Sequence, residues 1–252
     1  MMDRVMDNVL LKDPFDSEKH KREKRLYAAL VPDEVFIGSH FERRFVTSFG
    51  KVWENLMAII GKSALGFAET DYHISGEIPQ GCLQRIQETL DSLEHTTREK
   101  DTERVRPSWD AELAYVTAGS GTLVNTTVIS DVFVSSARTA PGMSFEFKAP
   151  QPNSDQTKVT KEKIFKLHCM RPKPVKAAYF ALPYNPYGER KDYNWTFPMR
   201  WFDMRNDPCV LMGEELWDMV GGHGTGDMIF GVVDRLGKHY RQRIREEYLR
   251  TG

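Results

Sequence analysis

Residues 122–147 constrain the fold of this chain more than any other stretch. The run TLVNTTVISDVFVSSA (122–137) is dense in Val, Ile, Thr and Phe, side chains that suit a pleated, half-buried surface. Parts of it alternate with period two. The turn signal ARTAPG follows, and then MSFEFKA (143–149), a second short strand pattern. Together they predict a β-hairpin and commit the chain to a sheet.

The flanking segments read mostly as helices. Residues 17–30 are charged with an apolar end, stopped by Pro32. In SHFERRFVTSFGKVWENLMAIIGK (39–62) the residues Phe41, Phe45, Phe49, Val52, Trp53, Leu56, Ile59 and Ile60 recur at three- and four-residue steps, which predicts a helix with one buried face. Ser39 fits its N-cap and Gly61 its end. A further helix is expected over 79–95, with Pro79 in its first turn and Leu83, Ile86, Leu90 and Leu93 on one side. The polar TTREKDTERVRP that follows reads as a connection or a short solvated helix. Beyond the hairpin come a helix over 155–170, a strand VKAAYFALP (175–183), and a long aromatic and polar loop (184–208). The helix EELWDMV, closed by Gly221-Gly222, and a final helical section over 225–250 complete the chain. This order predicts a single α/β domain over 1–252, with a small mixed sheet flanked by helices. Residues 1–108 would form a helical N-terminal part and 109–252 the core.

Composition narrows the class. The 252 residues, 40% hydrophobic and 28% charged, describe an ordinary globular protein. No apolar run approaches the roughly 18 residues of a membrane span, and the N-terminus lacks the apolar core of a secretion signal. Cys82, Cys169 and Cys209 are far apart and in no CxxC pair, which favours a reducing cytoplasm. The formal net charge of −1 says little about partners, since a nucleic-acid binder needs only a local basic face.

The chemistry-bearing cluster lies on the hairpin. Glu146 and Lys148 are two apart on one strand, so both side chains leave on the same face while Phe145 and Phe147 take the other. Asp131 interrupts the otherwise apolar VISDVFV alongside. Two carboxylates converging there make a hard-oxygen site suited to Mg²⁺, and one of them is expected to have a raised pKa without metal. A lysine beside them can orient or deprotonate a water and steady charge developing on phosphorus. The pattern therefore suits metal-assisted phosphodiester hydrolysis. An ExK on a strand is equally the pattern of a surface ion pair, and that reading stands open at this level.

Directly after the APQPN break, residues 158–176 carry Lys158, Lys161, Lys163, Lys166, Arg171, Lys173 and Lys176 against the single acid Glu162. This is where phosphate neutralisation would be needed, although a solvated helix face has the same pattern. In the loop, Arg190, Lys191, Tyr193 and Asn194 mix aromatic and hydrogen-bonding groups able to read base edges. The alternative is a loop packed around Trp195 and Trp201. With Asn153 at the break, the DNA-contact candidates are Asn153, Lys158, Lys161, Arg190, Lys191, Tyr193 and Asn194. GGHGTG (221–226) matches no phosphate-binding loop, the histidines form no HExxH, and no GxSxG elbow occurs.

On these residues the chain resembles a type II restriction endonuclease of the PD-(D/E)xK superfamily, closest to the TdeIII family. Four blocks in order carry the resemblance: ERRFVTSFGKVWENLMAIIG, SDVFV with FEFKAPQPNSDQTK, ALPYNPYGERKDYNW, and GEELWDMVGGHGT. It implies a restriction-endonuclease-like core in which Asp131 and Glu146 bind the metal, Phe147 offers its backbone carbonyl to it, and Lys148 is the catalytic lysine. A helix carboxylate, either Glu54 or Glu42, would join them. Ser130 stands where the motif's name has proline. The resemblance further implies a Mg²⁺-dependent homodimer cutting both strands of a short palindromic site in double-stranded DNA, of GGNCC type. A DNA methyltransferase is expected as genomic neighbour. Two other functions remain open here: a structure-specific repair or recombination nuclease of the same superfamily, and a non-catalytic DNA-binding protein.

Overall fold

A computed structural model of the chain describes residues 2–12, 15–94 and 105–249. The chain divides into two units, one of residues 1–53 with 227–252 and the other of residues 54–226.

In the first unit, α1 (Met2–Leu10) turns its apolar stripe toward the start of α4 (Asp33–Leu65). Between them lie the short, exposed helices α2 (Ser17–Glu23) and α3 (Arg25–Ala28). Phe41, Phe45, Phe49 and Trp53, one turn apart, contact one another in sequence with ring centroids 5.7, 5.1 and 4.9 Å apart, the first two pairs stacked and the last edge to face. Val5 and Val9 pack on this row, as does Val52. α4 starts six residues before the expected cap at Ser39. Pro32 precedes it, and Asp33 and Glu34 in its first turn complement the helix dipole. The Phe41, Phe45 and Phe49 rings are partly buried within the unit. The final helix α9 (Thr225–Arg243), with its π-turn extension Ile244–Leu249, brings Tyr240 against Met6 and Leu10. Tyr240 donates to Asp3 at 2.6 Å, and Arg243 pairs with Asp7 at 3.1 Å.

The second unit holds a five-stranded mixed sheet in the order β1-β2-β3-β4-β5. The expected hairpin is present as β2 (Leu123–Ser135) and β3 (Gly142–Phe147), antiparallel with Val132 opposite Phe145. β4 (Val175–Leu182) runs parallel to β3, and the three-residue β5 (Val210–Met212) parallel to β4. One strand departs from the sequence reading. β1 (Phe67–Pro79) pairs antiparallel with β2 along nearly its whole length, in a region expected to be helical. Its buried residues are few, Ile74 and Ile78 among them, and its other positions are mostly polar. Pro79 consequently ends this strand, and the helix begins one residue later as α5 (Gln80–Glu94).

α5, α6 (Trp109–Thr117) and α7 (Ser154–Cys169) cover one face of the sheet. The core there contains Phe133, Ala178, Phe180 and Leu182 from the strands and Ile164, Phe165 and Leu167 from α7. Across the sheet, the last turns of α4 and the helix α8 (Glu214–Gly221) close the other face. Gly61 lies inside α4 and not at its end, and packing explains it. A Cβ there would sit 2.7 Å from the Val134 side chain on β2, so glycine lets the helix approach the sheet. After α8, GGHGTG is a turn, as read from sequence: Gly222 adopts φ 88°, and Asp218 accepts from the backbone of Gly224 and Gly226. The stretch TTREKDTE (96–103) lies outside the described residues.

The long loop between β4 and β5 is folded into the core. Tyr193, Trp201, Phe202 and Met204 are buried. Its aromatic donors hold the break after β3: Tyr193 Oη donates to the Pro150 carbonyl at 2.8 Å, Trp195 Nε1 to that of Pro152 at 2.9 Å, and Trp201 Nε1 to Ser154 Oγ at 3.0 Å. The loop thus fixes the path from the site strand into α7.

Candidate active site

The β2–β3 register that pairs Val132 with Phe145 puts Asp131 and Glu146 one step further on, facing each other. Period-two geometry sends Asp131, Glu146 and Lys148 to the sheet face covered by α7, while Phe145 and Phe147 take the opposite face. Phe145 stacks on Tyr179 and Phe147 lies against Trp217. At this end of the hairpin the Asp131 side chain replaces a ladder acceptor, with Oδ2 accepting from the Phe147 N–H at 2.9 Å. Lys148 keeps its backbone bond to β4, donating to Ala181 O at 3.0 Å.

The side chains meet. Lys148 Nζ donates to Asp131 Oδ2 at 3.0 Å and to the Phe147 carbonyl at 2.7 Å, and stands 3.8 Å from Glu146 Oε2. A second ammonium arrives from α7. Lys163 Nζ donates to Glu146 Oε2 at 2.5 Å and lies 3.8 Å from Asp131 Oδ1. Glu146 is only 1% exposed, whereas the Asp131 and Lys148 side chains are 21% and 20% exposed. Burial first, and the Asp131 charge second, push the Glu146 carboxyl up to about 7, with Lys163 and Lys148 pulling it back.

Two observations bear on a divalent ion. Glu146 Oε1 is buried with no hydrogen-bond partner, an oxygen with unused capacity. The Lys148 ammonium sits on Asp131 Oδ2 and Phe147 O, two of the oxygens that the family resemblance assigns to the metal. A cation is therefore already accommodated by these oxygens, and their hard-oxygen chemistry suits a divalent ion. Among the described residues no three His, Cys, Asp or Glu side chains gather as a metal-binding group.

The DNA-contact candidates divide. Two are buried inside the protein, and a third is partly exposed with its polar groups paired. Lys161 has no exposure: it pairs with Glu112 of α6 at 2.5 Å, donates to the Trp201 carbonyl, and lies over the Phe202 ring at 4.9 Å. Burial pulls its pKa down, against the pull of Glu112. Tyr193 is buried with its hydroxyl on Pro150. Arg190 spends its guanidinium on Glu215 and on the carbonyls of Met204 and Asp207. These contacts share a cause: the loop, α8 and the α6–α7 layer satisfy the polar groups of the three residues within the protein. Asn153 caps α7, accepting from Gln156 N at 2.8 Å, yet is exposed. Lys158 pairs with Glu94 and stands over Trp201, whereas Lys191 and Asn194 are on the surface. What the sequence did not single out is Lys163, which it grouped with the basic strip. The one available signal was its position three residues beyond the buried Thr160, on the face of α7 turned to the sheet.

A mixed five-stranded sheet flanked by helices, with two carboxylates and a lysine at the end of its hairpin, is a restriction-endonuclease-like fold. A family model described as type II restriction endonuclease, HinfI, matches residues 1–237, and the chain belongs to that family. It is thus a site-specific deoxyribonuclease. The match is to HinfI and not to the TdeIII-like family suggested by the four sequence blocks. Comparison with curated proteins and with solved structures returns no match. No helix among the described residues is long and apolar enough to cross a membrane.

Proposed function

We propose that this endonuclease hydrolyses phosphodiester bonds in both strands of duplex DNA at a short palindromic site, as a Mg²⁺-dependent homodimer with a PD-(D/E)xK centre formed by Asp131, Glu146 and Lys148. The observation that carries this reading is the convergence of Lys148 Nζ on Asp131 at 3.0 Å and on Glu146 at 3.8 Å. Two acids and one lysine from neighbouring strands share one partly open corner of the sheet.

Asp131 and Glu146, with the Phe147 carbonyl, would hold the ion. When bound, it supplies charge neutralisation at the phosphate and activation of water. Lys148 has three ammonium protons, of which Asp131 and Phe147 O take two. The third is left to orient the attacking water or to meet a phosphate oxygen. In the reaction the water oxygen forms a bond to phosphorus, the bridging P–O bond breaks, and the departing oxygen takes up a proton. Asp131 also fixes the strand end, so the Phe147 carbonyl is aimed by the same carboxylate that binds Lys148.

Exposed Asn153, Lys191 and Asn194, with Lys158, form the DNA-contact set that remains. A two-fold protein operator matches a palindromic duplex, which supports the dimer. Within each subunit, residues 1–108 would serve support and subunit contact, and 109–252 catalysis and recognition. The enzyme would work in the cytoplasm beside a DNA methyltransferase that protects the host's own sites. A GGNCC-type duplex, drawn from the TdeIII resemblance, is the first to try, and the HinfI match lends it no support of its own. Incubating the purified protein with plasmid DNA and Mg²⁺, then sequencing the ends, tests the proposal. Discrete fragments sharing one palindromic sequence are expected; ends at junctions or at random positions would overturn it.

A further inference from the structure

Lys163 comes to the carboxylate pair from a separate element, and the two-strand motif does not need it. Its ammonium is held at 2.5 Å by the buried Glu146 and at 3.8 Å by Asp131, while Lys148 approaches both acids from the strand side. Two carboxylates and two ammoniums therefore form a closed cluster whose formal charges cancel. Glu146, at 1% exposure, cannot rely on water for its counter-charge, so α7 provides it. A divalent ion entering this cluster must either displace an ammonium from Glu146 or sit beside two positive charges. Either route weakens its binding.

We propose that Lys163 is a positioning residue that acts as the built-in countercation of Asp131 and Glu146, keeping the affinity of the DNA-free enzyme for divalent ions low. The proposal rests on the assignment of those two carboxylates to the metal. A nearby phosphate offers Lys163 another anionic partner, which is the circumstance in which it can leave Glu146. Lys148, on the site strand itself, would share Asp131 and the Phe147 carbonyl with the ion and stay beside the acids.

The test uses the full chain without DNA, with Mn²⁺ titrated and bound ion followed by electron paramagnetic resonance, and with thermal melting as a check on folding. Lys163→Gln should bind Mn²⁺ at least about tenfold more tightly than wild type, a conservative scale for removing one charge at this distance near a protein surface. Lys163→Arg, which keeps the charge, should bind as wild type does. Asp131→Asn should bind more weakly. Lys163→Met, which keeps the apolar stem, repeats the test should the Gln variant not fold. Unchanged or weaker Mn²⁺ binding in the neutral variants, with Asp131→Asn still impaired, overturns the countercation role alone. Wild-type Mn²⁺ binding by Asp131→Asn would overturn the metal assignment and this proposal with it.

Discussion

Two lysines on α7, two residues apart, have opposite fates. Lys161 is sealed between α6 and the long loop, with no exposure and every contact inside the protein: the Glu112 carboxylate, the Trp201 carbonyl and the faces of Phe165 and Phe202. Lys163 keeps 26% of its side chain exposed and touches two acids, one of which has an oxygen with no partner. Both belong to the same basic strip in the sequence. The difference teaches that a lysine's role follows from how completely its ammonium is sealed from solvent. A closed, dry pair holds elements together. A pair whose ammonium stays open to solvent beside a buried carboxylate is available for chemistry.

The sharpest way to break this comparison is to remove each lysine in turn. Lys161→Ala leaves Glu112 buried without its partner and should cost about 3–5 kcal/mol of stability. Lys163→Ala leaves the buried Glu146 with Lys148 beside it and able to keep its proton, and should cost less, about 1–3 kcal/mol. Denaturant unfolding of both variants without metal measures the difference, and equal losses would erase it.

A smaller effect separates the two sites by pH. Folded Glu146 keeps its proton up to about 7, while in the unfolded chain it ionises near 4.5. Between those values the folded state binds more protons, so this carboxyl's contribution to stability falls as pH rises from 4.5 to 7, by up to about 3 kcal/mol. In metal-free melts across that window, Glu146→Gln should flatten the decline. An unaltered slope would mean that the buried carboxyl is already ionised throughout. The smallest effect belongs to the loop. Tyr193→Phe leaves the Pro150 carbonyl without its donor and should cost about 1–2 kcal/mol, with the DNA sequence cut unchanged. A changed cleavage sequence would return Tyr193 to base reading.

Legibility in the sequence followed the reach of each interaction. The hairpin, α7, β4 and α8 were readable because periodicity and turn residues act within a few positions. β1 was not, because Glu69, Thr70, Asp71, His73, Ser75 and Glu77 give it a polar texture, and only its pairing with β2 makes it a strand. β5 is too short to carry a pattern. At the site, Glu146 and Lys148 share a face by local arithmetic, and Asp131 joins through the hairpin register. Lys163 joins through the docking of α7 on the sheet, which no local pattern encodes. Arg190 and Tyr193 looked free to meet DNA because their partners, Glu215 and Pro150, are tertiary neighbours.

The central claim is that Asp131, Glu146 and Lys148 act together on a DNA phosphate. Its most direct test is Lys148→Ala, assayed for cleavage and for duplex binding in the same preparation with Mg²⁺. Loss of cleavage by on the order of a thousandfold or more, with binding kept, is the expected result. Cleavage by Lys148→Ala at the wild-type rate would contradict the account.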